Sequence, residues 1–158
     1  MKKLILLIAF MLAVMNVAAQ QNPLNQAELL KKFHGVWECR LGTNTVLNYQ
    51  YEIFGSGMAG IIVVTAGGEV QDSVIQLFGY DAQKDVIMLV ELVNTSSKLE
   101  IKTLRFTTDT TGVITSSAPD DTYINIVFEF LGPKVMKQTA VLENKYEVKM
   151  LFNKKETL

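Results

Sequence analysis

The residues of this chain best suited to recognising a ligand are an arginine and several tyrosines within apolar segments. The sequence contains only two arginines, Arg40 and Arg105. A guanidinium group binds a carboxylate through two parallel hydrogen bonds. Arg105 lies on the same strand face as the apolar Leu99 and Ile101, which is consistent with an inward orientation. An inward Arg105 would be a carboxylate anchor, and the alternative is a position on the outer face. The tyrosines predicted to assist through their hydroxyl groups are Tyr49, Tyr51 and Tyr123.

Three glutamates interrupt otherwise apolar segments, namely Glu52, Glu91 and Glu129. A carboxylate that faces a dry cup is a candidate general base, which would suit an isomerase or hydrolase acting on a lipid-like substrate through Glu91 or Glu129. By simple alternation, Glu52 and Glu129 instead point to solvent, and Glu91 or Glu129 is also a possible partner for Arg105. One histidine and no Gly-x-Ser-x-Gly segment exclude a Ser-His-Asp triad. We therefore predict no catalytic residue and a protein that is not an enzyme.

No metal or cofactor site is predicted. His34 and Cys39 are the only residues of their types, whereas zinc needs several nitrogen or sulfur ligands. Asp81 and Asp85 fall in a turn and are interpreted as solvated. Met88 lies in an apolar segment, where methionine adapts either to ligand-filled space or to an ordinary core. The complete set predicted to contact a ligand is Arg105, Tyr49, Tyr51, Tyr123, Glu91 and Met88.

The elements that would position these side chains follow from apolar–polar alternation broken by turn residues. A short helix is predicted over 27–33, with Leu29, Leu30 and Phe33 on one face. Ten strands are predicted, at 36–41, 45–54, 58–66, 69–79, 85–93, 98–107, 112–117, 122–131, 134–143 and 145–153. Strands of this spacing are typical of a meander whose closure removes exposed edges. The predicted fold is all-β: a single antiparallel up-and-down barrel of about ten strands with a short N-terminal helix.

The sequence leaves the content of the barrel open. Segment 86–93 is apolar on both faces except at Glu91, so its outer face is predicted to be covered by the helix or by a second copy in a homodimer. A small barrel can also be filled by its own side chains, which would favour a structural or interaction role. The phenylalanines available for filling are Phe54, Phe78, Phe106, Phe128, Phe130 and Phe152.

The first residues have the composition of an export signal. Lys2 and Lys3 precede an apolar run, 4–15, that is short for a membrane span, and small residues follow it at 17–19. We predict a signal peptide at 1–19, a polar leader with the short helix at 20–34, and a barrel domain at 35–158 in a periplasmic or secreted protein. Loss of Lys2 and Lys3 changes the formal net charge from −1 to −3. Without a basic stripe, we expect no nucleic-acid partner and no stable membrane anchor.

The segment Phe33-His34-Gly35-Val36-Trp37-Glu38-Cys39 resembles the opening of calycin-type barrels, the superfamily of lipocalins and fatty-acid-binding proteins. The turn Gly79-Tyr80-Asp81 resembles that of an uncharacterised bacterial lipocalin-like domain family. A glycine permits a sharp turn into the strand, and a tryptophan two residues later plugs the barrel end. The resemblance implies a barrel that holds a small apolar or amphipathic ligand, including one with a carboxylate. In lipocalins, an arginine from a late strand usually packs across this tryptophan ring. Near the end of its last strand, the present chain has only Lys154 and Lys155.

Overall fold

The computed structural model describes residues 24–116, 123–142 and 146–156. The predicted signal peptide, 1–19, and the first part of the predicted leader lie outside these residues. Helix α1 spans Gln26–Leu30 and continues into a 3₁₀ turn, Lys31–Phe33. The strands are β1 (Gly35–Leu41), β2 (Thr45–Phe54), β3 (Gly57–Ala66), β4 (Glu69–Asp81), β5 (Val86–Val93), β6 (Leu99–Phe106), β7 (Thr111–Ser116), β8 (Tyr123–Gly132), β9 (Val135–Leu142) and β10 (Glu147–Lys154).

The ten strands form one closed barrel. Each strand pairs with the next along the chain, and β10 returns to pair with β1. Every pairing is antiparallel. This architecture confirms the predicted ten-stranded up-and-down barrel with a short N-terminal helix. Short hydrogen-bonded turns join most neighbouring strands, so each hairpin places the next strand beside the previous one.

Alternation decides which side chains point into the barrel. On β2, Leu47, Tyr49 and Tyr51 are buried, while Gln50 and Glu52 are exposed. The same period of two holds around the barrel, because successive side chains of a strand point to opposite faces. Among the side chains that the structure describes, Tyr51 on β2, Phe128 on β8 and Phe152 on β10 are buried for this reason.

Helix α1 closes one end of the barrel, which we call the floor. Asn25 caps the helix, because its side-chain oxygen accepts a hydrogen bond from the Glu28 amide. The buried Gln26 side chain bonds the β6 backbone twice. Its Oε1 accepts from the Phe106 amide at 2.8 Å, and its Nε2 donates to the Phe106 carbonyl at 3.0 Å. These two bonds hold the helix against the strand ends.

A group of aromatic rings packs above the helix, and we call it the floor cluster. Its rings meet mainly edge to face. The centroid of the Phe33 ring lies 5.0 Å from that of Phe130 and 5.1 Å from that of Phe128. This geometry is the favourable one for aromatic pairs. The cluster fills the barrel near the floor and leaves the opposite end to other side chains. Its members are Phe33, Trp37, Phe106, Phe128 and Phe130.

Trp37 closes the floor beside Gly35. Gly35 has φ +106°, a backbone conformation that residues with a side chain rarely adopt. This conformation lets the chain turn from the 3₁₀ segment into β1. Trp37 is fully buried, and its indole N–H donates to the Phe33 carbonyl at 2.7 Å. The Lys154 ammonium lies 5.2 Å from the centre of the Trp37 ring, within the range of a cation–π interaction. A lysine of β10 thus covers the tryptophan.

The outer face of β5 remains partly open. Met88 and Val90 are half-buried and Leu92 is exposed, while Ile87 and Leu89 point into the core. The helix lies at the floor rather than along this face. The predicted homodimer stays a prediction. Of the phenylalanines considered as filling, Phe54 is exposed at the end of β2, and the other five are buried.

Candidate functional site

A cavity of about 350 Å³ lies inside the barrel, above the floor cluster. Its wall is mostly apolar, with Leu47, Ile62, Val64, Ile114 and Met150 among the lining side chains. Leu41 and Thr45, which line it as well, belong to the strand ends remote from α1. The cavity therefore approaches solvent at the end opposite the floor. Its volume falls in the lower part of the range of small-molecule sites, about 300–1,000 Å³.

A row of cross-strand neighbours crosses the wall of this cavity, and we call it the polar row. Tyr51 of β2 lies opposite Gly60 of β3, and Gly60 lies opposite Gln76 of β4. Gln76 then lies opposite Glu91 of β5, which lies opposite Glu100 of β6. Since directly opposite residues share a face of the sheet, these side chains all point toward the barrel interior.

Hydrogen bonds connect the polar row from one end to the other. The Tyr51 hydroxyl donates to Gln76 Oε1 at 2.7 Å, and Gln76 Nε2 donates to Glu91 Oε1. Lys102, two residues after Glu100 on β6, donates to Glu91 Oε2 at 2.6 Å. Its ammonium also lies 2.8 Å from Glu100 Oε2. Both oxygens of Glu91 therefore already accept hydrogen bonds, an arrangement that does not favour a role as general base.

Gly60 makes the first link of the row possible. A Cβ built on Gly60 would meet Tyr51 Cδ1 and would lie 2.6 Å from its Cε1. The tyrosine ring therefore lies across the space that a side chain on β3 would fill. Without that space, the hydroxyl group could not pass over β3 to reach Gln76 on β4. Here glycine is used for close approach rather than for an unusual backbone conformation.

Burial and charge act together on Tyr51 and Lys102 at this wall. Desolvation raises the pKa of the fully buried Tyr51 well above its ordinary value, and the nearby Tyr49 and Glu91 add to the increase. Desolvation alone would lower the pKa of Lys102, but Glu91 and Glu100 outweigh it and raise the pKa above its ordinary value. Tyr51 is thus neutral and Lys102 is charged at physiological pH.

The structure places three of the predicted ligand-contacting residues at the cavity. Tyr49, Tyr51 and Glu91 line it and are at most 8% exposed. Tyr123 begins β8, but its side chain lies outside the described residues. Glu52 and Glu129 are on the outside of the barrel, as alternation predicts, with Glu52 3.3 Å from His34.

Arg105 and Met88 lie on the outer face and not at the cavity. Arg105 is exposed, and its guanidinium lies 3.7 Å from the Asp85 carboxylate. On β6 the buried side chains are Lys102, Leu104 and Phe106, so the odd-numbered Arg105 points outward. Met88 points outward for the same reason, since it alternates with the buried Ile87 and Leu89.

The cavity also contains polar residues that sequence reasoning missed: Gln76, Lys102 and Gln138 line it, and Glu100 contacts Lys102. Alternation along the strands could have predicted that they point inward, because Gln76 lies on the same strand face as Phe78, and Lys102 on the same face as Phe106. Gln138 is 5% exposed, and its Nε2 lies 3.7 Å from the Met136 sulfur.

Across 24–116, 123–142 and 146–156, no group of three or more His, Cys, Asp or Glu side chains is arranged to hold a metal ion. In the same ranges, no helix has both the length and the apolar character needed to cross a membrane. No protein-family model and no curated protein matches the chain.

We predict that Gly60→Ala destabilises the protein by about 1–3 kcal/mol, because the new methyl group displaces the Tyr51 ring and breaks its bond to Gln76. Urea denaturation measures the change. The control is Gly79→Ala, since a Cβ there meets no atom within 4 Å. Equal stability of Gly60→Ala and the wild type would contradict the close approach.

Removal of the buried cation should be more costly. Lys102→Met leaves Glu91 buried without its ion partner, and such a loss typically costs about 3–5 kcal/mol. The matched control is Lys137→Met on the exposed face of β9, expected to change the free energy of unfolding by no more than about 0.5 kcal/mol. Similar denaturation midpoints for the two variants would show that Lys102 does not stabilise the row.

Stability should also fall at alkaline pH. Tyr51 and Lys102 have pKa values raised by folding, so between the unfolded and folded pKa values the folded state binds more protons. The free energy of unfolding then decreases as pH rises above about 10, by about 1.4 kcal/mol per pH unit for each group. Urea titrations from pH 7 to 11 should give a shallower decline for Tyr51→Phe than for the wild type. Tyr146→Phe, at an exposed tyrosine, should keep the wild-type slope.

Proposed function

We propose that this protein binds a small amphipathic molecule inside its barrel and carries out no catalysis. The observation that carries the proposal is the cavity of about 350 Å³, whose apolar wall is interrupted by a connected set of polar side chains. An apolar wall favours the hydrocarbon part of a ligand through burial. A few fixed polar groups favour one orientation of its polar end.

The proposal extends to the class of barrel and its location. We propose a lipocalin-like barrel, supported by the plugged floor at Gly35 and Trp37 and by the closed ten-strand meander. The position of Lys154 against the Trp37 ring supports the same relationship, since a cation covers the tryptophan. We also propose export to the periplasm or the medium, supported by the composition of residues 1–19.

Binding can be tested with the neutral fluorescent probe N-phenyl-1-naphthylamine, whose emission rises in apolar surroundings. We expect saturable binding to the wild type. In Val148→Phe the larger side chain fills part of the cavity, because Val148 lines it from β10, and we expect affinity to fall about tenfold.

The control for this test is Leu151→Phe, at an exposed position on the outer face of the same strand. It should bind the probe as the wild type does. Circular dichroism and urea denaturation establish that both variants are folded. No saturable binding to the wild type, or equal binding to both variants, would contradict the proposal. Native mass spectrometry of protein purified from its original host would then identify a retained ligand.

A further inference from the structure

The charged side chains on one side of the cavity carry a net negative charge: Glu91 and Lys102 line the cavity, and Glu100 lies beside it, next to Lys102 on the inward face of β6. Glu91 and Glu100 share a single lysine, with Lys102 Nζ 2.6 Å from Glu91 Oε2 and 2.8 Å from Glu100 Oε2. The exposed fractions of the three side chains are 9% for Lys102, 10% for Glu91 and 28% for Glu100. Among the described residues that line the cavity, Lys102 is the only lysine, arginine or histidine. The group therefore has a net charge of −1.

Hydrogen-bonding capacity at the wall also favours a donor. Lys102 contacts only one of the two Glu100 oxygens, so the 28% exposed Glu100 side chain keeps acceptor capacity beside the cavity. Gln138 is an independent indication of a ligand. Its side chain is 95% buried and faces the cavity, and the contact that the described residues give it is weak, from Nε2 to the Met136 sulfur at 3.7 Å. Its side-chain amide supplies a further acceptor at the cavity wall.

A carboxylate ligand would meet unfavourable conditions here. Its charge would approach the carboxylates of Glu91 and Glu100 at a largely buried wall, where like charges repel more strongly than in water. Lys102 offers little compensation, because two of its three protons already point at Glu91 and Glu100. Arg105, the cation that would otherwise suit a carboxylate, is exposed on the outside.

We propose that the cavity selects an amphiphile with a cationic, ammonium-type head group and discriminates against fatty-acid carboxylates. This inference rests on the proposed binding function and names the ligand class for the same site. The hydrocarbon tail lies against the apolar wall, and the ammonium group donates to the acidic side of the polar row. A ligand of this charge neutralises the net charge of −1 left by Glu91, Glu100 and Lys102.

The test compares three ligands that share an eight-carbon chain and differ in head group: octylamine, octan-1-ol and octanoate. Isothermal titration calorimetry with the full chain at pH 7 measures each affinity, since octylamine is then protonated and octanoate is ionised. We expect octylamine to bind at least about tenfold more tightly than octanoate, with octanol between them.

The charge itself is tested by Glu100→Gln, which removes the excess carboxylate and keeps Lys102 paired with Glu91. We expect the preference for octylamine over octanoate to fall about tenfold. Glu129→Gln, on the outer face of β8, should leave all three affinities unchanged. Urea denaturation establishes that both variants are folded.

The outcomes separate this inference from the proposed function. If octanol and the naphthylamine probe bind but octylamine binds no better than octanoate, the ligand class is overturned and the binding function stands. If Glu100→Gln leaves the preference unchanged, the charge of the polar row does not set it, and the inference also fails. If none of the three ligands nor the probe binds the wild type, the binding function itself is overturned.

Discussion

The ion pair between Lys102 and Glu91 is the interaction on which the interior of this barrel depends. Two charges removed from water are favourable only when close geometry and further hydrogen bonds compensate for lost hydration. Both conditions are met, since the pair is 2.6 Å apart and Gln76 and Glu100 add contacts. The same contacts fix one wall of the cavity in a single arrangement. The space beside that wall keeps a defined shape and a defined charge.

The two halves of the barrel along its axis differ in what fills them. The half nearer α1 is filled with rings, so burial of apolar surface holds the strands together there. The other half has a polar wall on β2 to β6 and apolar side chains elsewhere, and it stays partly open. Gly60 connects the two halves, because it allows a ring of the inner core to extend its hydroxyl into the polar row. The packed aromatic rings and the cavity therefore occupy different levels of the same closed sheet.

The sequence predicted the strands well because turn residues and alternation are local signals. Side-chain direction was predictable where only one face was apolar, as on β2, where Tyr49 and Tyr51 point inward. On β6 the apolar Leu99 and Ile101 point outward. Because Arg105 lies on the same face of the strand, it was wrongly predicted to point inward, and the inward direction of Lys102 was missed. On β5 both faces are apolar, which left the directions of Met88 and Glu91 undetermined. The polar row depends on register across five strands, and a single sequence contains no direct record of register.

Closure of the barrel joins the two ends of the folded chain along a short seam. The β1–β10 register runs only from Trp37–Lys154 to Cys39–Phe152, whereas the β2–β3 register extends from Thr45–Ala66 to Phe54–Gly57. Pairing across the seam requires the whole intervening chain, so it carries the largest loop-closure entropy of any pairing in the molecule. Successive hairpins can assemble in order during synthesis, but this ladder can form only after the last strand is available. The β1–β10 pairing is consequently where we expect the barrel to open most readily. Amide hydrogen exchange along β1 and β10 reports how often this pairing opens.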